Sequence, residues 1–480
     1  MENFEIKKKI LDYFQGFSNE LRQKIDKNNP FKVQYEILTP DFIEFKYDKG
    51  NISYHMGSKV IEKEKLDSTK IYFAFKTYNK KNDDYREILN DLNEKYGINI
   101  GFLNRLFENL MYSLLTELLE AQSDEKFTEK IQVLFNDLEL KPSKCSAKAW
   151  IDGIWLSEKE YFLEENIKIR RITPDDMKYF QRADYYGGVE LLHKFMDPTV
   201  ILEVSFIPNI SKEGHSIIND KYFNLKTLME GKLVREIDYI SLALRLFKLG
   251  SVFIHKIERT LESLIQRGKY ISGDFREIKN SVKYGINERD IPEINSILDI
   301  IREKRQLLFN SSKKSNPFLI ALQRFNNAFL NAESSESSIM YVISCLEAIF
   351  LKGSELHELS RRLNQRVSIF LKPLGFDPLL INKILKKAYS IRSIYSHGSK
   401  VDFKKNKINI VGEFKTAVME CARISLLIYL QLIGNIRKEN LLTLIDNSLI
   451  NDASYNKFTK LIKDNCRIEI LIPPNLIQQT

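Results

Sequence analysis

Residues 310–317, Asn-Ser-Ser-Lys-Lys-Ser-Asn-Pro, divide this chain into two kinds of sequence. The stretch is small, polar and closed by proline, the punctuation of a linker. After it, every apolar pattern has helical period; before it, strand-like runs recur among helical ones. The chain is therefore expected to be α+β, with a mixed α/β N-terminal region followed by an all-α helical bundle. At 480 residues it is too long for one ordinary core. The expected divisions are an N-terminal α+β domain at 1–145, a middle domain of mixed strand and helix at 146–311, and a C-terminal helical domain with a helical extension at 312–480.

Upstream of the linker, the first 27 residues read as an amphipathic helix through Phe4, Ile10, Leu11, Phe14 and Leu21. Residues 32–38, 42–47 and 70–78 read as strands, and 85–138 as helix, broken around Gly97 and Gly101 and near 122–124. Further strands are expected at 149–156, 167–172 and 199–207. Thr173-Pro174-Asp175-Asp176 carries the signals of a helix start, with a Thr cap, Pro in the first turn and acids facing the dipole. That explains it better than an acidic nuclease motif. Residues 210–232 look irregular, and single helices are expected over 237–261, despite Gly250, and 292–309.

An apolar fraction of 43% is enough to bury real cores. The four cysteines, Cys145, Cys345, Cys421 and Cys466, are far apart and lack metal-site spacing, as reduced thiols of a cytoplasmic protein would be. The charged start Met1-Glu2-Asn3-Phe4-Glu5 argues against a secretory signal. The run 424–433 is about half a membrane span, so no membrane partner is expected. His357-Glu358 opens like a zinc-protease motif, but Arg361 stands where the second ligand belongs. Phosphate-loop, nucleophile-turn and paired Cys-x2-Cys motifs are missing too, so neither a metal nor a cofactor is expected. The net charge is +9, yet residues 316–435 hold 16 basic against 9 acidic side chains. Such a local surplus suits a phosphate-binding surface, or simply a solvated lysine-rich face.

Beyond the linker, helices are expected at 318–330, 337–351, 354–371, 378–396 and 413–432, an antiparallel bundle with short connections. In the fourth, Ile381, Ile384, Leu385, Ala388, Ile391 and Tyr395 form one apolar stripe, with Lys383, Lys386 and Lys387 opposite. Arg392 points within about 20° of Ile381, toward the core. A guanidinium there needs a partner or a polar cleft, and a phosphate would satisfy its planar fork. His397 follows, a residue type suited to proton exchange near neutral pH, and then Gly398, a helix terminator. Residues five apart on a helix project about 140° from each other. Either the helix distorts before Gly398, or the pair meets its substrate across a subunit interface.

Arg392-Ser-Ile-Tyr-Ser-His397-Gly398 resembles the Arg-x4–6-His signature of the HEPN superfamily, and its surroundings resemble the Apea-like branch. Ser344-Cys-Leu-Glu347-Ala-Ile-Phe-Leu351 is similar to that branch's second helix, and Glu358-Leu-Ser-Arg-Arg-Leu-Asn-Gln-Arg366-Val to its third. Weaker likeness reaches back to Ile167-Lys-Ile-Arg-Arg-Ile-Thr-Pro174 and Ala243-Leu-Arg-Leu-Phe-Lys248. Residues 1–140 resemble nothing familiar.

The resemblance implies a metal-independent endoribonuclease acting on RNA such as tRNA. His397 would be general acid and base for attack of the ribose 2′-hydroxyl on the adjacent phosphate, and Arg392 would hold that phosphate. Glu347, Ser393 and Arg366 would support the site, while Lys383, Lys386, Lys387 and Lys400 would track the RNA backbone. A homodimer through the HEPN domain is implied, as is a role in abortive infection; residues 1–310, more chain than one effector domain needs, are expected to sense a phage-derived trigger. Two departures stand out. Ser393 follows the arginine where many active members have Asn, Asp or His, and Ser399 stands where a related toxin group has a modifiable Tyr. The alternative is a catalytically inactive HEPN module that dimerises or binds RNA within a sensor protein.

Overall fold

A computed structural model of the chain describes residues 2–28, 32–48, 51–66, 68–114, 124–139, 145–177, 198–206, 218–261, 270–273, 282–309 and 316–467. Linker residues 310–315 and the expected helix break at 122–123 lie outside them. The architecture is mixed α and β, mostly helical with a small antiparallel sheet.

Helices α1 (Glu2–Asn28), α2 (Ser68–Lys81), α3 (Asp83–Tyr96), α4 (Ile100–Ser113) and α5 (Asp124–Leu138) enclose a first core. Its centre is aromatic: Phe14 stacks on Phe75 and on Phe107, with centroids 5.9 Å apart in each pair. Helix α2 corrects the strand expected at 70–78. Ile71 and Phe75, one helical turn apart, are fully buried, while Phe73 between them is 63% exposed, a period of 3.6 and not of 2. The Tyr-Phe-Ala-Phe run has strand propensity, but packing against α1 and α4 decides its form. Strands β1 (Lys32–Asp48) and β2 (Asn51–Leu66) pair as one antiparallel hairpin, longer than the two short runs expected there.

A second core begins on a six-stranded antiparallel sheet. Its strands are β3 (Cys145–Asp152), β5 (Glu160–Glu164), β6 (Ile167–Arg171), β7 (Val200–Phe206), β8 (Phe253–Leu261) and β9 (Tyr270–Gly273), in the order β5-β6-β7-β3-β8-β9. Beside it, β4 (Ile154–Leu156) pairs in parallel with β10 (Tyr284–Ile286). The strand expected at 149–156 is split by Gly153. Its φ is +85°, and a Cβ there would lie 2.3 Å from the Ser251 backbone, so only glycine lets the chain turn so closely. At the 173–176 start, Thr173 accepts the Asp176 N–H, the Thr cap expected from sequence, and the Asp176 carboxylate accepts the Thr173 N–H in return.

Helix α6 (Ile218–Phe247) corrects two expectations at once. It begins within the stretch read as irregular, and it ends before Gly250 instead of continuing to 261. Residues from Phe253 onward form β8, laddered to β3 on one side and β9 on the other. The Leu242, Leu246, Leu249 period cannot foresee that ladder, because strand pairing is nonlocal. Helix α7 (Ile291–Phe309) follows.

The C-terminal helices are α8 (Pro317–Leu330), α9 (Ser335–Phe350), α10 (Leu359–Leu371), α11 (Pro378–Ser396) and α12 (Val411–Leu432), extended by α13 (Lys438–Ser448) and α14 (Asp452–Asn465). The third was expected from residue 354, but it starts at Leu359. Residues 351–358 form a loop instead, because the Glu355 carboxylate turns back to accept the N–H of Lys352 at 2.9 Å. Buried apolar residues from Cys145 to Cys466 form one cluster, continuous across the 311/312 division. Arg423, 2% exposed on α12, reinforces this continuity by donating to the carbonyls of Leu246 and Phe247 at the end of α6, at 2.8 and 2.9 Å. All four cysteines are buried. Among the described residues no helix is long and apolar enough to cross a membrane.

Candidate active site

Helix α11 is a well-delimited rod. Asp377 caps its start by accepting the Leu379 N–H at 2.8 Å, and Pro378 opens its first turn. At its end Gly398, φ +73°, donates to Tyr395 O at 3.0 Å while Ser399 donates to Ile394 O at 3.1 Å. These two bonds define a Schellman closure with His397 as the C-cap. Ile381, Leu385, Ala388 and Ile391 face the core as expected. Tyr395, expected on the same stripe, is 37% exposed because the helix end has already passed the edge of the bundle.

Arg392 leaves α11 at the border between core and solvent. Its Nη2 donates to Glu347 Oε2 of α9 at 3.3 Å, and its guanidinium lies 5.5 Å from the ring centre of Tyr389. The Glu347 side chain is 15% exposed and that of Arg392 31%. The buried Nε of Arg392 has no hydrogen-bond partner. An arginine carries five N–H donors, so most of its capacity to grip an anion is uncommitted. Burial, reinforced by the Glu347 charge, lifts the Tyr389 hydroxyl above the usual phenol range. Tyr389 was not singled out from sequence. Its spacing of three from Arg392, one turn along the same face, was the available signal.

His397 is exposed. Its own N–H reaches Ser393 O at 3.2 Å, so α11 keeps its helical bonding to the end. No distortion brings the two side chains onto one face, and within a single chain they leave the helix about 140° apart. Ser393 is half-buried between them.

The remaining candidates separate by how their charges are used. Arg366 is 1% exposed and forms two bonds to Asp446, two to Glu355 and one to Phe350 O, between 2.6 and 2.8 Å. It ties α10 to α13 and to the 351–358 loop, with no donor left for a ligand. Lys383, Lys386 and Lys400 are exposed, whereas Lys387 is half-buried and donates to Lys407 O at 2.8 Å. Among the described residues no group of three or more His, Cys, Asp or Glu side chains is placed to hold a metal ion. No family model, no curated protein and no solved structure matches the chain.

Proposed function

We propose that this chain is a HEPN-type endoribonuclease that cuts RNA without a metal, using Arg392 and His397 across a homodimer. The observation that carries this reading is the Arg392 guanidinium: anchored by one bond to Glu347, open to solvent, and otherwise unspent. Glu347 fixes its direction, and Tyr389 supports one face. A phosphate would complete its fork and be neutralised by it.

The exposed His397 supplies proton transfer. Its divergence from Arg392 on one helix is what makes a second copy necessary, since two antiparallel α11 ends can face each other's signature. The exposed Tyr395, one helical turn from Arg392, gives such a contact apolar area. One His397 accepts the proton of the ribose 2′-hydroxyl as that oxygen attacks the phosphorus. The bond from phosphorus to the 5′-oxygen breaks, and the His397 of the second copy returns a proton to it. The products are a 2′,3′-cyclic phosphate and a 5′-hydroxyl. A growth-arresting role in phage defence, with residues 1–310 sensing the trigger in the cytoplasm, is the biological setting we infer. The same divergence favours the second reading, a catalytically idle RNA-binding module, if the protein is a monomer.

Incubating purified protein with total tRNA in EDTA, beside His397→Ala, separates the two. Cleavage by wild type alone, with cyclic phosphate ends, supports the enzyme. Equal cleavage by both proteins removes His397 from the site. RNA binding by a monomer without cleavage favours the idle module.

A further inference from the structure

A cleft of about 400 Å³ lies between α8, the start of β8 and the last turn of α6. It shares no residue with the Arg392 site. The face of α8 that lines it runs through Leu319, Leu322, Gln323 and Asn326, the i, i+3, i+4, i+7 set of a helix face. On a face meant only for packing, all four would be apolar; here two are amides. Neither amide has a hydrogen bond among the described residues, and Gln323 is exposed. Ile254 adds to the apolar wall.

Arg245 supplies the charge. Its Nε donates to Val252 O at 3.0 Å. Its terminal nitrogens make no hydrogen bond and no ion pair with any described residue. Burial holds this guanidinium below its ordinary value, and the charge of Asp238 offsets only part of that penalty. An acidic group entering the cleft would relieve it directly.

We propose that this cleft is a binding site for a nucleoside monophosphate. The phosphate faces Arg245, the base lies against Leu319, Leu322 and Ile254, and the amides of Gln323 and Asn326 meet its polar edge. Side-chain amides present a donor and an acceptor together, the pattern that base edges complement. An alkyl acid would satisfy Arg245 but leave both amides unpaired on being covered, an unfavourable outcome. The volume falls near the lower end of small-ligand pockets, about 300–1,000 Å³, which suits one nucleotide and not a polymer. The site stands whether or not Arg392 and His397 cut RNA.

Calorimetric titration of the full chain with each of the four nucleoside 5′-monophosphates tests this, with inorganic phosphate and octanoate as comparison ligands. At least one nucleotide should bind once per chain with a Kd below about 1 mM. Inorganic phosphate and octanoate should bind at least tenfold more weakly. Leu322→Trp, which fills the cleft, and Asn326→Leu, which removes one amide, should each weaken the nucleotide at least tenfold. If Leu322→Trp does not fold, Asn326→Leu and Gln323→Ala carry the test, because neither residue holds a structural bond. Failure of all four nucleotides to bind, equal binding of octanoate, or affinity unchanged in Asn326→Leu would each overturn the assignment.

Discussion

Arg366 on α10 and Arg392 on α11 each engage a glutamate of the same bundle, and the rest of their surroundings diverge. Arg366 is sealed from solvent with every donor used, by two carboxylates and one backbone carbonyl. Arg392 keeps one bond of 3.3 Å, a partner-free Nε and a third of its side chain in water. A buried guanidinium must be saturated, because each unpaired donor costs free energy, and saturation leaves nothing for a ligand. A guanidinium at the border can leave its outer donors unsaturated because water attends them until an anion arrives, and only the buried Nε of Arg392 bears the cost of lacking a partner. The first arrangement builds the bundle; the second equips its surface.

Stability measurements would break this contrast most directly. Arg366→Ala strands the Glu355 and Asp446 carboxylates and should cost about 3–5 kcal/mol. Arg392→Ala removes one half-exposed pair and should cost less than about 1 kcal/mol. Urea unfolding of both variants checks this, and equal losses would show that the two arginines do the same structural job. Activity should rank them the other way. In folded protein, Arg392→Ala should slow RNA cleavage about 10²–10³-fold, the usual effect of removing one donor to a developing charge. Arg392→Lys, which lacks the fork, should recover only part of it. Full cleavage by Arg392→Ala would dissociate the unsatisfied guanidinium from catalysis.

Acid sharpens the comparison further. The hydrogen bonds from Arg366 hold the Glu355 carboxyl at about 2, below its ordinary 4.5. The folded state thus binds fewer protons than the unfolded chain through this interval. Its contribution to stability is complete above about 4.5 and is lost as pH falls toward 2. Unfolding midpoints measured between pH 6 and 2.5 should fall in wild type. In Glu355→Gln the starting stability should be lower and the fall shallower. An identical acid profile in both proteins would mean that Glu355 is not what Arg366 protects.

What the sequence made legible follows from how local each signal is. The ends of α11 were readable because Asp377-Pro378 and His397-Gly398 act within one turn of chain. Arg392 was readable as directed toward the core, and so in need of a partner, from its angle to Ile381; its place at the border with solvent was not. Strand β8 was not, since its ladders join residues more than a hundred positions apart in β3 and none of that pairing leaves a trace near Gly250. Helix α2 was misread because its aromatic run favours a strand until α1 and α4 impose the helical period. Arg366 was marked only as a supporting residue, because its partners lie 11 and 80 residues away. Tyr389 was overlooked, since an aromatic at the edge of an apolar stripe carries no signal of its own until its neighbours are known.

The smallest effect separates lysines that sequence alone treats alike. Lys383 and Lys386 are exposed, whereas the Lys387 ammonium already donates to Lys407 O at 2.8 Å, pinning the loop after the signature. An ammonium committed to a carbonyl can add field but is poorly placed to displace a counterion from a phosphate. For a single-stranded RNA, each lost phosphate contact reduces the slope of log affinity against log salt by about 0.7. Lys383→Gln and Lys386→Gln should each lower the slope by up to that amount without affecting folding. Lys387→Gln should barely alter the slope, and its cost should appear as a looser 401–410 loop, read by hydrogen exchange. Should Lys387→Gln change the slope as much as the other two, the loop bond yields to RNA and all three lysines belong to one binding surface.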